Sequence, residues 1–393
     1  MSVAVLVAAV VARALLNTAR RFAYPFAPAL SRGLGVPLTS VTPLLAANQA
    51  TGLASPLVGA LADHWGQRGM MLAGVALLAG GMLGAGLVPL YGTILVGLVL
   101  AGLGKSCFDP ALLAYVSDRV GYARRGLVVG LVELGWAASS LVGIPLVGLL
   151  IDRHGWRAPF LVLGGSACVM LAVLARVLRG DGRRSRGAAP GGLARSWGLV
   201  ARSRPVRGAL AYGFLFPMAS DNLFVVYGAW LERDFGLTLV ALGAATTVIG
   251  VAELAGEGLT AAVADRVGLG RAAVLGAGLT AAGYAVLPLL GGSLTGALVG
   301  LFVVFLGFEF TVVTAISFCT ELVPGARATT IASMGAASSL GRVVGALSGG
   351  PIWLAAGLGG TAGVSAILGL LACASLAWSV QCSPHATRTT TDP

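Results

Sequence analysis

The sequence predicts an all-α integral membrane protein, with 12 transmembrane helices arranged as two pseudo-symmetric six-helix bundles. Three observations lead to this prediction. The chain is 57% hydrophobic and only 10% charged, whereas soluble domains carry about 25% charged residues. Its apolar residues fall into segments of about 20 residues, the length that crosses a bilayer. The second half of the chain also repeats polar landmarks of the first half. A soluble enzyme is therefore excluded.

The apolar segments divide the chain into two similar halves. The longest polar stretch, residues 179–205, falls between the sixth and seventh segments and is predicted to be a cytoplasmic linker. The predicted domains are thus a six-helix bundle at 1–178, a second at 206–381 and a cytoplasmic tail at 382–393. Glycine and proline inside the segments are compatible with membrane helices. The segments are 4–30, 39–62, 70–90, 92–117, 127–151, 158–178, 206–231, 238–264, 272–290, 294–320, 328–356 and 360–381.

The polar landmarks recur at nearly constant spacing. An Asp, two residues, a Gly and a later Arg stand between two apolar segments in each half, and an acid followed six residues later by an Arg recurs in the same way. A repeat of this kind determines the fold before local structure does. The landmark pairs are Asp63 and Asp265, Asp118 and Glu321, Arg124 and Arg327, and residues 137–141 and 336–340, at offsets between 199 and 203.

The first of these landmarks also carries a family resemblance. Gly59, Leu61, Asp63, Gly66 and Arg68 match the pattern G-x-L-x-D-x-x-G-x-R, which resembles the loop between the second and third helices of the major facilitator superfamily. Length, hydropathy and duplication extend the resemblance over the whole chain. It implies two bundles around a central cavity and a cytoplasmic latch, in which Asp63 lies near a helix amino terminus and Arg68 pairs with an acid. The implied gating residues are Gly59, Asp63, Gly66, Arg68, Asp118, Arg124, Asp265, Arg271, Glu321 and Arg327.

The distribution of basic residues predicts the orientation. With the amino terminus inside, the inner loops and tail hold 17 Lys and Arg residues, the outer loops hold 4, and 5 lie within segments. Cytoplasmic loops carry this excess in membrane proteins. We therefore predict a multi-pass protein of the plasma membrane with both termini cytoplasmic. The net charge of +11 then needs no nucleic-acid partner, and the linker can contact anionic headgroups.

Charges inside the segments mark the predicted pathway for substrate and protons, because an embedded charge is costly and is usually functional. In the superfamily, the first helix of each three-helix unit lines the cavity and the third faces lipid. Here the first, fourth, seventh and tenth segments carry seven such charges, and the third, sixth, ninth and twelfth carry none in their interiors. The embedded charges are Arg13, Arg20, Arg21, Lys105, Asp109, Glu133, Asp221, Glu253, Glu257, Glu309 and Arg342.

Lys105 is the only lysine in a chain that has 25 arginines. It precedes Asp109 by four residues, so both side chains lie on one helical face. Arginine is effectively always charged, whereas a buried lysine can lose its proton. Two interpretations remain open: a titratable pair coupled to substrate or proton, or a static ion pair that pins two helices.

Arg20 and Arg21, near the middle of the first segment, also have two interpretations. Either residue can bind an anionic group of a substrate, or pair with Asp109 or Glu133 of the same half. The similar numbers of embedded acids and bases favour pairing. Arg20 belongs to a polar stripe of the first helix that consists of Arg13, Asn17, Arg20 and Tyr24.

The second half carries most of the embedded carboxylates. Glu253 and Glu257 share a face of the eighth segment, and like charges at this spacing disfavour joint ionisation, which suits a proton carrier. Alternatively, Arg342 holds one of them as a structural pair. Glu309 and Asp221 have no partner in their own helices and are candidate proton or substrate sites, or else packing residues.

We predict secondary active transport of a small organic solute by alternating access. Embedded carboxylates outnumber embedded bases, which favours proton coupling. Residues 155–160 resemble the corner before the sixth helix of drug-efflux members, which favours export. The fifth segment departs from the antiporter pattern at 143–148, so uptake or exchange of an anionic metabolite at Arg20, Arg21 and Lys105 stays open. A non-transporting sensor or lipid-handling protein is the alternative of another class. We predict a monomer that needs no cofactor or metal.

Overall fold

The computed structural model describes residues 2–120, 122–178, 180, 202–323 and 326–383, without the side chains of 55–57, 59–64, 122–127, 129, 265 and 328. Most of the predicted linker and tail therefore lies outside the described residues. The described part is helical and contains no strand. The helices are α1 Val3–Arg21, α2 Ala27–Leu34, α3 Leu38–Ala50, α4 Ser55–Leu87, α5 Tyr91–Arg119, α6 Tyr122–Ala138, α7 Ile144–His154, α8 Ala158–Val177, α9 Arg204–Phe224, α10 Tyr227–Phe235, α11 Leu239–Val267, α12 Leu269–Leu290, α13 Leu294–Glu321 and α14 Arg327–Gln381.

Within this described part, 10 helices are long and apolar enough to cross a membrane. Two of the predicted connections are not separate loops. The chain passes through Gly66 inside α4 and through Gly357 inside α14, and each glycine has a non-helical backbone that kinks the helix. The predicted segments 328–356 and 360–381 thus lie on either side of the break at Gly357.

Four predicted segments are interrupted. The second, 39–62, contains a 3₁₀ turn at Thr51–Ala54 between α3 and α4. The first breaks between Arg21 and Ala27, because Pro25 in the break and Pro28 in the first turn of α2 lack the N–H groups that a continuous helix needs. The seventh breaks after Phe224, and nothing in its sequence explains that break. The fifth contains a π-helical turn at Ser139–Gly143, just before Pro145. A π turn changes the hydrogen-bond register, which accommodates the missing donor.

Six glycines carry a positive φ, and no other described residue does. They form three pairs, Gly35 with Gly236, Gly66 with Gly268, and Gly155 with Gly357, at separations of 201, 202 and 202 residues. This separation is that of the polar landmarks. Side chains rarely adopt such a φ, because the Cβ atom clashes with the following carbonyl. The glycine of the Asp-x-x-Gly-x-Arg motif is therefore required by the turn, and its counterpart Gly268 makes an equivalent turn.

The chain forms two compact units, and the first comprises the described parts of residues 1–187 together with 225–250. Glycines bring α4 and α5 into backbone contact: a Cβ atom on Gly81 would lie 2.7 Å from the carbonyl oxygen of Gly97. Small residues permit such packing in membrane helices. The 225–250 segment joins this unit partly through an Arg32–Glu232 ion pair of 2.8 Å.

The second unit comprises the described parts of residues 188–224 and 251–393. Its core is aromatic, and the rings of Phe216 and Phe308 stack with centroids 5.2 Å apart. Glycines again set the helix spacing, because a Cβ atom on Gly256 of α11 would lie 2.9 Å from the Cβ atom of Glu309 on α13. This contact places carboxylate-bearing faces of two helices side by side.

Candidate functional site

Arg13 of α1 bridges two embedded carboxylates in the first unit. Its Nη2 atom lies 2.9 Å from Oε2 of Glu133, and its Nε atom lies 3.5 Å from Oδ1 of Asp109. Its Nη1 atom donates a hydrogen bond to the carbonyl oxygen of Val132 at 3.1 Å. The Arg13 side chain is only 9% exposed. A buried charge requires such compensation, so α1, α5 and α6 are joined by one ionic network.

Lys105 belongs to the same network. Its ammonium group donates to Oδ2 of Asp109 at 2.5 Å and to Oδ1 of Asn17 at 2.6 Å. Its Nζ atom also lies 5.2 Å from the ring centroid of Trp136, within the range of a cation–π interaction. The lone lysine is thus held by α1, α5 and α6 together, and the predicted pairing with Asp109 is present.

A close approach of α1 and α6 makes this network possible. A Cβ atom on Gly135 would lie 2.9 Å from the carbonyl oxygen of Val10 and 3.1 Å from the Cβ atom of Arg13. Asn17 donates to the Gly135 carbonyl oxygen at 3.4 Å. Gly135 lies two residues after Glu133 and directly before Trp136. The missing side chain therefore brings both residues within reach of the cations on α1 and α5.

Arg20 and Arg21 lie at the next turn of α1. Arg20 donates to Oε1 of Gln49 on α3, whose amide nitrogen donates to the hydroxyl of Tyr24. The guanidinium carbon of Arg21 lies 4.6 Å from the centroid of the Trp136 ring. The sequence prediction omitted Gln49 and Trp136. Gln49 had a signal, since with Asn48 it forms a pair of amides within a predicted membrane segment, and Trp136 is three residues from Glu133 on one helical face.

The second unit contains a buried ion pair. Nη1 of Arg342 on α14 donates to Oδ2 of Asp221 on α9 at 2.7 Å, and the Asp221 side chain is fully buried. The alternative in which Arg342 pairs with Glu253 or Glu257 is therefore wrong. Both residues of the pair were predicted as site residues, but their partnership was not, because they are far apart in sequence.

The other carboxylates of the second unit lie on α11 and α13. Glu253 is buried, whereas Glu257 and Glu309 are half-buried. Glu309 packs against Gly256, which stands next to Glu257 and one turn after Glu253. Each of the three has an interaction with other groups. They are thus grouped at one contact between two helices.

The predicted gating residues lie at helix ends. Oδ2 of Asp118 accepts a hydrogen bond from Gln67 at 2.5 Å, and Oε1 of Gln67 accepts one from Arg119 at 3.0 Å. Arg68 donates to the carbonyl oxygen of Ala175 at 2.7 Å, near the last turn of α8, where free carbonyls accept such bonds. Arg271, Glu321 and Arg327 are exposed or half-exposed at helix termini. The side chains of Gly59, Asp63, Arg124 and Asp265 lie outside the described residues.

Comparisons with known proteins identify relatives of this chain. The family model for the Major Facilitator Superfamily matches residues 9–346. The MFS-type transporter YceJ of Bacillus subtilis is 27% identical over 323 residues, or 80% of each chain. Human monocarboxylate transporter 11 is 38% identical over 122 residues, or 30% of this chain and 25% of the relative. The fold is similar to that of a bacterial homologue of the human lysosomal transporter Spinster, crystallised inward-facing and unoccupied, with a TM-score of 0.69, 15% identity and coverage of 96% and 95%.

Proposed function

Because the chain belongs to the major facilitator superfamily, whose members are transporters rather than enzymes, we propose that it exports a small organic solute in exchange for protons. The mechanism is alternating access, in which a central site opens to one side of the membrane at a time. The solute and the surrounding lipid are its partners. The remaining predictions of 12 spans, two six-helix bundles split at 179–205, and a monomeric state are part of this proposal.

The observation that carries the proposal is the ionic network of Arg13, Lys105, Asp109 and Glu133. It lies on helices long enough to cross a membrane, and it includes two embedded carboxylates and the only lysine of the chain. Replacing such a network by apolar side chains is often neutral or stabilising. A network of this size is therefore better explained by a role in transport than by its contribution to stability alone.

Proton coupling is assigned to groups that can exchange a proton within the membrane. In the first unit these are Lys105 and Asp109, since lysine, unlike arginine, can function as a neutral amine. In the second unit they are Glu253, Glu257 and Glu309, which lie on the two helices that meet where Gly256 packs against Glu309. Asp221 is assigned a structural role within the proposal, because Arg342 compensates its charge.

The proposal includes an orientation. Both termini are cytoplasmic and the chain resides in the plasma membrane, in agreement with the excess of Lys and Arg in the inner loops. The turn at Gly66 then lies on the cytoplasmic side, together with Arg68, Asp118 and Arg119. Their hydrogen bonds join helix ends, as a latch between conformations would.

Inverted membrane vesicles test this function. Respiration acidifies the vesicle interior, and a pH-sensitive dye reports the lumen while cationic, neutral and anionic solutes are added singly. Release of protons by particular solutes, absent in vesicles that contain the Lys105→Met variant at equal abundance, is the expected result. Failure of every solute to release protons, with the wild-type protein shown to be folded, would refute proton-coupled export.

A second candidate is uptake or exchange of an anionic metabolite. The observation that favours it is the charge of α1, α5 and α6, whose embedded parts hold Arg13, Arg20, Arg21 and Lys105 against two carboxylates. One relative is named a monocarboxylate transporter. Uptake of radiolabelled carboxylates into right-side-out vesicles separates the two candidates. If no solute moves in either assay, the chain is a non-transporting member of its family.

A further inference from the structure

A cavity of about 190 Å³ lies within the second unit, between α9, α13 and α14. An apolar cavity of about 150 Å³ accepts one benzene molecule, so this cavity has room for a single six-membered ring but not for a fused polycyclic group. Most of its lining is apolar, as in small-molecule sites, where a few polar groups fix orientation. Residues of its wall include Tyr212, Pro217, Cys319, Met334, Gly335 and Ser338.

The cavity wall includes two glycines and a flexible methionine. Gly335 lines the cavity at an exposed position of α14, where a Cβ atom would meet no atom within 4 Å. A Cβ atom on Gly213 would lie 3.0 Å from the terminal methyl of Met334. Methionine is flexible and polarisable and packs well against rings. The wall can therefore adjust to an aromatic group.

A partly exposed cation lies one helical turn from this cavity. Arg342 follows Ser338 by four residues, a rise of about 6 Å on the same helical face. Its side chain is 26% exposed, whereas that of its partner Asp221 is 0% exposed. Within the described residues, its one hydrogen-bonded side chain is that of Asp221, through Nη1, and its guanidinium carbon also lies 5.9 Å from the centroid of the Phe308 ring.

The Arg342 guanidinium group therefore has N–H groups that can bind a ligand. Arginine carries five N–H groups in a planar fork, and this fork matches a carboxylate that binds through both oxygens. The buried Asp221 carboxylate is already occupied by the pair, so an incoming ligand meets the arginine rather than the acid. A ligand whose ring fills the cavity therefore has the Arg342 guanidinium on the helical turn next to it.

We propose that this cavity binds an aromatic monocarboxylate, with the ring beside Met334 and Gly335 and the carboxylate on Arg342. Its role in transport rests on the function proposed above, because the bound acid would be the transported solute. Glu309 lies one turn from Val312, a residue of the cavity wall. When ionised, its carboxylate repels a second carboxylate on the ligand, so a monoacid fits better than a diacid.

Calorimetry on the purified full-length chain in detergent tests the site directly. The probes are benzoate, phenylacetate, acetate, phthalate and benzylamine. We expect benzoate or phenylacetate to bind, with acetate, phthalate and benzylamine each at least tenfold weaker. Acetate binding as tightly as benzoate would eliminate the ring site. Tighter binding of benzylamine, or of phthalate, would eliminate the assigned head-group chemistry, and binding of none of the probes would eliminate the proposal.

Substitutions in the cavity supply an independent test. Gly335→Leu fills the space and should weaken benzoate binding at least tenfold, whereas Gly359→Leu, at an exposed and open position of the same helix, should leave it unchanged. Met334→Ala enlarges the cavity and should shift preference from benzoate towards 2-naphthoate. A merely structural role of Met334 would not change the preferred ligand size. An unchanged preference, or wild-type binding by Gly335→Leu, would place the ligand elsewhere.

The contact between the ligand carboxylate and Arg342 is tested with a variant that does not leave the buried Asp221 carboxylate unpaired. The double variant Arg342→Gln with Asp221→Asn removes both charges and should abolish selectivity for benzoate over benzyl alcohol. Retained selectivity would overturn the role of Arg342. Binding and transport are measured separately, so a failure of the binding site can be distinguished from a failure of the proposed function. Wild-type binding without vesicle transport contradicts only the proposed function, whereas transport of other solutes without benzoate binding contradicts only this site.

Discussion

The lysine at position 105 gives the sharpest prediction. Lys105→Met removes a charged hydrogen bond to Asp109 and another to Asn17, each contributing about 1.5–3 kcal/mol. It also removes the desolvation cost of an ammonium group whose side chain is 9% exposed, a cost of several kcal/mol. Asp109 keeps Arg13 at 3.5 Å. These effects nearly offset, so the free energy of unfolding should change by less than about 2 kcal/mol.

Transport should change far more than stability. We expect Lys105→Met to reduce proton-coupled flux by at least about tenfold, equivalent to 1.4 kcal/mol, in vesicles matched for protein abundance. Lys105→Arg distinguishes the two interpretations of the pair. Arginine preserves the charge but keeps its proton, so a titrating lysine predicts a folded, inactive Lys105→Arg variant, whereas a static pair predicts an active one.

Two results would refute this reasoning. Unchanged flux in Lys105→Met would remove the residue from the mechanism. A loss of more than about 4 kcal/mol in unfolding free energy would show that Lys105 holds the helices together, because breaking a buried pair costs about that much. The unfolding of detergent-solubilised protein and a flux assay on the same preparation measure the two quantities.

Three further changes test other parts of the structure. Gly135→Val should push α6 away from α1, cost about 1–3 kcal/mol through overpacking and abolish flux, as measured by detergent unfolding and vesicle assays. Arg342→Ala should destabilise the protein by about 3–5 kcal/mol, since it strands the buried Asp221 carboxylate, and Asp221→Asn should restore most of that loss. Gly66→Ala should cost about 1–2 kcal/mol of backbone strain and slow turnover without changing substrate preference.

Each of these changes has a contradicting outcome. Gly130→Val, at an exposed position of α6 with no atom within 4 Å, is the control for Gly135, and equal losses in both variants would dismiss the close approach as the cause. Additive effects of the Arg342 and Asp221 substitutions would show that the pair is not coupled. A changed substrate preference in Gly66→Ala would place that turn at the substrate site rather than in a latch.

Sequence reasoning predicted the helical class and most helix positions, because continuous apolar runs of membrane length leave few alternatives. It was wrong about the continuity of the first and seventh segments, each of which is broken. It also did not predict that the connection at Gly66 is reduced to one residue with a positive φ, because a hydropathy profile does not report one backbone angle. The break after Phe224 has no local sequence signal either.

In the site, contacts between residues close in sequence were predictable, whereas contacts between distant residues were not. The i,i+4 spacing of Lys105 and Asp109 predicted their contact, because helix geometry determines it. The partnership of Arg342 with Asp221, 121 residues apart, depends on how α9 packs against α14 and was not predictable. Gln49 was missed because the prediction selected site residues by charge, although a buried amide also requires partners.

The glycine pairs provide a register for comparing the two copies without reference to side chains. At their separation of 201 residues, Arg20 of the first copy corresponds to Asp221 of the second. Equivalent positions of the two repeats thus carry opposite charges. A tandem of two first copies would concentrate positive charge in its apolar segments and a tandem of two second copies negative charge, so we expect that neither tandem could replace this chain.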